Sequence, residues 1–307
     1  MEFKRDFMMT IQNVTVAGSG VLGYQIACQC ALHGFKVTVY DINDEVLEKA
    51  KAKFEGLAEA YKRDLNKTDQ DIEATFHNLS YQSNLAEAVK DADLVIEAVP
   101  ENPAIKEDFY TKLSQVAPSK TIFATNSSTM LPSQFSHFTG RPEKFLALHF
   151  ANNIWTSNTA EIMGHEGTDQ AVFDQIVQFS KDIGMIALPL YKEQPGYILN
   201  SLLVPFMGAA LELYVKEVAS PETVDKTWMK ATGSPIGPFG ILDIVGPNTV
   251  YNITMIDAQQ TQDPFALKVA DVLKTQFIDK GLLGVQTGQG FYSYPNPSYL
   301  DADFLKK

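Results

Sequence analysis

Four polar side chains interrupt or end apolar segments of this chain, and their types suit proton transfer. His149 closes the apolar run Phe145-Leu146-Ala147-Leu148, and imidazole is the side chain best suited to taking and returning a proton near neutral pH. Glu161 opens the next strand-like segment, where a carboxylate can hold one imidazole nitrogen and stabilise the cation. Ser128 lies in the polar block Asn126-Ser127-Ser128-Thr129 that ends an apolar strand, so hydroxyls sit at a strand end. Asn200 is one of few polar groups in the apolar stretch Ile198 to Met207 and needs a partner if buried. Each has a plainer explanation: a satisfied core histidine, a solvated strand-edge acid, a helix cap, a structural hydrogen bond. Nothing structural, however, asks for His149, Glu161 and Asn200 together.

A second motif supplies a ligand site. The strand Val14-Thr15-Val16-Ala17 runs into Gly18-Ser19-Gly20-Val21-Leu22-Gly23, a helical stretch follows, and the strand Lys36 to Tyr40 ends at Asp41. Gly18 permits a tight turn, Gly20 lets backbone amides approach a pyrophosphate, and Gly23 lets helix and strand lie close, which is a dinucleotide-binding unit. The helix start then holds the anion. A carboxylate at Asp41 can accept hydrogen bonds from both ribose hydroxyls of NAD but repels the 2′-phosphate of NADP, and no Arg lies nearby to receive that phosphate. NAD is the expected cofactor.

These residues need a scaffold, and the patterning predicts one. Strand-like runs at Ala92 to Val99, Thr121 to Thr125, Phe145 to Phe150, Thr159 to Met163 and Met185 to Leu190 alternate with helices. One helix is capped by Asn43 and runs to about residue 62, another opens at Pro103, and a third spans about Thr168 to Ile183. That alternation predicts an α/β fold, a Rossmann-type doubly wound parallel sheet, over residues 1–192. From Gln194 the pattern turns helical: Gly196 to Lys216 with Pro205 expected to bend it, Ser220 to Ala231, and further helices to about residue 280. Residues 193–307 are therefore expected to form an all-α C-terminal domain, for dimerisation and substrate binding.

Composition narrows the class. The 307 residues are 45% apolar and 20% charged, and 25 Lys and Arg against 37 Asp and Glu leave a formal charge of −12. So acidic a surface argues against nucleic acid or anionic membrane as a partner. Cys28 and Cys30 cannot readily pair within one helix and read as core thiols of a reducing compartment. Met1 to Phe7 contain no continuous apolar run, and no stretch is expected to reach membrane-spanning length and apolarity, so a cytoplasmic protein is expected. The five His are scattered without ligand spacing, and no metal is expected.

Several blocks in order resemble the L-3-hydroxyacyl-CoA dehydrogenase family, 3-hydroxybutyryl-CoA dehydrogenases included. They are Gly18 to Gly23, Glu97-Ala98-Val99-Pro100-Glu101-Asn102 with Lys106, Asn126 to Thr129, His149-Phe150, Glu161, Pro195 to Asn200, Gly233 to Phe239 and Thr287 to Tyr292. The resemblance implies that His149 removes the hydroxyl proton, Glu161 orients it, and Ser128 and Asn200 bind the reacting oxygen. It also implies that Glu101, Lys106, Asn126 and Asn152 join Gly18, Gly20, Val21, Leu22, Gly23 and Asp41 in the cofactor site, and that the protein is a homodimer acting on a short-chain (S)-3-hydroxyacyl-CoA. This chain departs from the family at Ala151 to Thr156, where a Pro-containing loop is usual, and at Ala60, Gly240 and Gln286, while Lys67 is retained. The departures allow a substrate that is a 3-hydroxy acid without coenzyme A, as in gulonate-type enzymes. A non-catalytic NAD-binding protein is the remaining alternative, and no lysine follows Asn200 until Lys216 to support a decarboxylating dehydrogenase.

Overall fold

A computed structural model describes residues 10–306. The expectation for Met1 to Phe7 lies outside them. Among the described residues, eight strands form one sheet in the order β3-β2-β1-β4-β5-β6-β7-β8. They are β1 Asn13–Ala17, β2 Lys36–Tyr40, β3 Leu79–Gln82, β4 Leu94–Glu97, β5 Ile122–Thr125, β6 Phe145–Phe150, β7 Thr159–Gly164 and β8 Ile186–Leu190. The central strands β4, β5 and β6 are buried throughout, as continuous apolar runs covered on both faces must be. Alternate residues feed two cores. Leu94, Ile96, Leu146 and Leu148 join Ile26 and Phe54, whereas Val95, Phe123 and Phe145 join Phe109 and Tyr110 on the other face.

The sheet is not wholly parallel. β7 runs antiparallel to β6, and β8 is parallel to β7, so the last two strands reverse the direction of the first six. The half-buried edge strand β3 and two short helices beside it, α3 Asp69–His77 and α4 Leu85–Val89, fall in a segment with no expected element.

Local chemistry accounts for the other helices. Helix α1, Gly23–Leu32, buries Ile26, Ala27, Cys28 and Cys30, and both thiols are free. Burial pushes the Cys28 thiol up to about 12 and the Cys30 thiol higher, so both act as inert core groups. Helix α2, Asp44–Leu65, starts where the Asn43 side chain accepts the Val46 amide and ends at Asn66 in the left-handed conformation. Helix α5, Pro103–Val116, has Pro at its start and the Asn102 carboxamide accepting the Ala104 and Ile105 amides. Helix α6, Gln170–Asp182, is capped by Asp169.

The chain divides into two compact units at Ile198, beyond the expected boundary at Lys192. The reason is bonding: the Tyr197 hydroxyl donates to the Ser127 carbonyl and the Ile198 amide to Glu161, which ties both residues to the sheet unit.

The second unit, from Leu199 onward, is helical: it holds all but the first two residues of α7 Tyr197–Val215, then α8 Pro221–Thr232, α9 Pro238–Val245, α10 Pro247–Thr261 and α11 Pro264–Gln276. Its core gathers Met207, Leu211, Met229, Phe239, Leu242 and Leu273. Helix α7 continues on both sides of Pro205. It is also long and apolar enough, by length and composition alone, to cross a membrane, which corrects the expectation that no stretch approaches that limit. Its apolarity has a local use, because Met207, Ala210, Leu211 and Val215 are built into the helical core. Buried Asp225 accepts the Phe239 and Gly240 amides at the start of α9, and a Cβ on Gly240 would stand 2.7 Å from the Ile236 side chain, so a larger residue there would have to displace it.

Candidate active site

The carboxyl ends of β1, β4, β5 and β6 carry the functional residues, around the point where the strand order reverses between β1 and β4. After β1 the chain turns sharply at Gly18, whose φ of +102° and whose would-be Cβ, 2.4 Å from the Ala98 carbonyl oxygen, admit no side chain. Gly23 is required by close approach, since a Cβ there would lie 1.8 Å from the Gly18 carbonyl oxygen. Gly20 differs: a Cβ would meet no protein atom within 4 Å. Nothing among the described residues demands glycine at that position, so the space is open to a pyrophosphate approaching the backbone.

A cleft of about 520 Å³ opens there, lined by Gly18, Gly20, Val21, Asp41, Val99 and Phe109 among others. Asp41 stands just past β2, where its Oδ2 accepts the Ser19 amide at 2.8 Å and the Ser19 hydroxyl at 2.6 Å. Its Oδ1 accepts the Ile42 amide and keeps a second lone pair for a ribose hydroxyl, whereas both lone pairs of Oδ2 are taken by Ser19. The donor set fits NAD. Val21 is exposed into the cleft, but Leu22 packs against the core and is not among the cleft's lining residues.

The polar group singled out in the sequence assembles at β6. His149 and Glu161 are direct partners across the antiparallel β6–β7 pair, so their side chains share one face. His149 Nδ1 lies 3.0 Å from Glu161 Oε2 and His149 Nε2 lies 3.1 Å from Ser128 Oγ. The histidine is 5% exposed and the glutamate 3%. Glu161 Oε1 accepts the Ile198 amide at 2.9 Å, which leaves Oε2 directed at the imidazole.

Ser128 owes its place to Glu101. One oxygen of Glu101 accepts the Ser127 hydroxyl at 2.6 Å, the Ser128 and Thr129 amides at 3.0 Å, and the Thr129 hydroxyl at 2.9 Å. Burial alone would raise the Glu101 carboxyl, but the Ser127 hydroxyl, the Lys106 ammonium and the Thr129 donors together hold it below the usual carboxylate range.

Three residues expected to line the cofactor site do structural work here. Lys106 is 1% exposed, with its ammonium between Glu97 at 2.6 Å and Glu101 at 3.2 Å, so it stands behind Glu101 instead of facing open space. Asn126 is buried and its Oδ1 accepts the Phe150 amide at 3.0 Å, tying the ends of β5 and β6 together beside His149. Asn152 is exposed, with its Oδ1 accepting from Gln25. Asn200 is half-buried on α7 and belongs to the helical unit. Ala60 is buried in the sheet unit's core.

Sequence reasoning missed four contributors. Glu97 is fully buried and accepts from Lys106, from Tyr110 at 2.9 Å and from Thr125 at 2.7 Å. Gln25 clasps the loop after His149 by donating to Asn152 and accepting the Ile154 amide. Trp155 donates its indole N–H to Asp64 at 2.8 Å, pinning that loop to α2. Tyr197 stacks on His149. An acid inside an apolar strand and a glutamine inside an apolar helix were the available signals for the first two.

Comparison with known proteins identifies a family. Residues 13–194 match the model of the 3-hydroxyacyl-CoA dehydrogenase NAD binding domain, and residues 196–294 match that of the 3-hydroxyacyl-CoA dehydrogenase C-terminal domain. The chain is 33% identical to the mitochondrial hydroxyacyl-coenzyme A dehydrogenase of Rattus norvegicus over 92% of this chain and 91% of that one. A solved structure described as substrate-directed dual catalysis of dicarbonyl compounds by diketoreductase is 54% identical, with a TM-score of 0.89 over 93% of this chain and 100% of that one. The (S)-3-hydroxybutyryl-CoA dehydrogenase of Ralstonia eutropha is 25% identical, with a TM-score of 0.81 over 94% of this chain and 100% of that one. With both of its halves matched in order, the chain belongs to the 3-hydroxyacyl-CoA dehydrogenase family, oxidoreductases with an NAD-binding domain.

Proposed function

We propose that this protein interconverts a 3-hydroxy compound and the corresponding 1,3-dicarbonyl compound, with NAD as hydride carrier and His149 as general acid and base. The observation that carries the reading is the buried imidazole held at one nitrogen by Glu161 and at the other by Ser128. When bound, the nicotinamide takes the hydride from C3 or returns it. The chain supplies the rest. His149 Nε2 receives the hydroxyl proton as the alcohol carbon becomes a carbonyl, while Glu161 keeps Nδ1 protonated and offsets the positive charge that develops on the ring. The Ser128 hydroxyl, 3.1 Å from Nε2, marks where the substrate oxygen is held. The resemblance gives Asn200 a share in holding that oxygen.

The second carbonyl defines the substrate class. A 3-oxoacyl thioester is itself a 1,3-dicarbonyl, so the two groups of relatives describe one reacting unit with different substituents that the reaction leaves in place. The 54% identity to a protein described as acting on dicarbonyl compounds supports a small substrate without coenzyme A. The relatives named for hydroxyacyl-CoA support the thioester as a second reading. The deciding experiment follows NADH loss with acetoacetyl-CoA and with acetylacetone or an acetoacetate ester, at equal concentrations. Turnover of the free dicarbonyl at the higher kcat/KM supports the first reading, and preference for the thioester, with competition by free coenzyme A, supports the second. A thermal shift with NADH but no turnover on any of them would leave only a nucleotide-binding protein.

A homodimer is the proposed assembly. Within the helical unit, Phe206, Ala209 and Leu213 of α7 and Thr227 and Trp228 of α8 line an apolar groove of about 530 Å³. Leu202 on the same helix is 69% exposed, and Leu213 and Trp228 are each 39% exposed. Apolar surface of this kind is suited to a self-complementary two-fold contact.

A further inference from the structure

The ring of Tyr197 lies flat against the imidazole of His149, with centroids 4.4 Å apart and planes 13° from parallel. The tyrosine is 1% exposed, and its hydroxyl donates to the Ser127 carbonyl at 2.7 Å, one residue before Ser128. Its backbone is left-handed, with φ of +55°, a region that side chains other than glycine's seldom occupy. The next amide, that of Ile198, is the one held by Glu161. A single dipeptide therefore touches every member of the proton-transfer group: His149 by stacking, Ser128 through its neighbour, and Glu161 through the chain. Burial first, and then the nearby carboxylates Glu101, Glu161 and Glu97, keep the Tyr197 phenol protonated, so it is a fixed donor and not a base.

We infer that Tyr197 is a positioning residue that sets both the proton affinity of His149 and the register of Ser128 against it. The inference rests on the acid–base reading above. The face of an aromatic ring is electron-rich and favours a cation lying against it, so the stack stabilises the imidazolium that forms when His149 takes a proton. The charged groups around the pair are Glu161 from β7, Glu101 and Glu97 from the end of β4, and Lys106 from α5 between those two acids. The hydroxyl acts separately. By holding the Ser127 carbonyl it limits the drift of Ser128 from its 3.1 Å contact with Nε2.

The two parts separate experimentally. Tyr197→Phe keeps the stack and removes the hydroxyl; kcat should fall about threefold to tenfold, as one hydrogen bond of about 1 kcal/mol implies, with the acid limb of kcat/KM for alcohol oxidation unmoved. Pentafluorophenylalanine at position 197 keeps the shape and inverts the ring's charge distribution; the acid limb should move to lower pH by about half a unit relative to Tyr197→Phe. Tyr197→Leu should show the same downward movement and a larger fall in kcat. If Tyr197→Leu does not fold, the fluorinated ring carries the test alone. Identical acid limbs for the phenyl and pentafluorophenyl proteins would overturn the role in proton affinity. An unchanged kcat in Tyr197→Phe would overturn the role of the hydroxyl. An NMR titration of the His149 imidazole reads the same displacement without turnover, so a wrong substrate and a wrong inference give different results.

Discussion

His149 and Glu161 sit directly opposite each other on antiparallel strands, and that pairing brings Nδ1 within 3.0 Å of Oε2. The site depends on this register: a slip of one residue would turn either side chain to the opposite face of the sheet. The reversal of β7 thus delivers a carboxylate to a histidine that arrives from the other direction.

Glu161→Gln should lower kcat by about two orders of magnitude with KM changed only a few-fold, because a carboxamide has one acceptor oxygen for two donors, the Ile198 amide and the imidazole N–H. Steady-state kinetics beside a thermal melt check this. A kcat within twofold of wild type would remove Glu161 from the proton-transfer group.

For His149→Gln, turnover should fall by about three orders of magnitude or more while the dissociation constant for NADH stays within about threefold. The cofactor cleft is lined by the glycine turn and Asp41, and His149 is not among its lining residues. Fluorescence titration with NADH alongside the activity assay separates the two effects, and retained activity contradicts the mechanism.

Glu101 predicts a pH dependence of stability. Its carboxyl is held below the ordinary value of 4.5, so its contribution is fully present above that value and is lost as pH falls through the lower folded-state value. Glu101→Gln should therefore melt a few degrees below wild type at neutral pH, with the gap closing as the pH drops below about 4.5. Melting curves across pH test it, and a gap independent of pH counts against the ionised hub.

Asp41→Ala should weaken NADH binding about tenfold, the loss expected for one good hydrogen-bonding partner of the ribose, and should narrow the preference over NADPH. Calorimetric titration with both nucleotides reads each change. Equal affinity of mutant and wild type for NADH would show that Asp41 serves only to anchor Ser19.

Leu213→Glu places a charge in the apolar groove of the helical unit and should shift the particle seen by light scattering toward 34.0 kDa at micromolar protein. A wild-type protein already of that mass would contradict the proposed dimer.

Much of the scaffold could be read from patterning where burial is complete. Strand β6 runs from Phe145 to Phe150 as expected, because a strand covered on both faces must be apolar throughout. The glycine turn was equally legible, since Gly18 and Gly23 answer steric demands of the fold while Gly20 leaves open space. By contrast β3, Leu79–Gln82, is only partly buried and carries no clear alternation, so it left no signal. Lys106 was assigned to the cofactor site by resemblance alone, and that its ammonium lies between Glu97 and Glu101 is a long-range contact that one dimension does not show.

The sequence by itself determined most of the elements, the cofactor turn and the side chains on offer for proton transfer, because these follow from side-chain type and local spacing. It also carried the family, through several motifs in a consistent order. Only the tertiary structure decided that β7 reverses, that Glu101 gathers the amides of Ser128 and Thr129, and that Tyr197 covers the imidazole. Period-two alternation is the same in both strand directions, and contacts between residues dozens of positions apart are set by packing of the whole sheet unit.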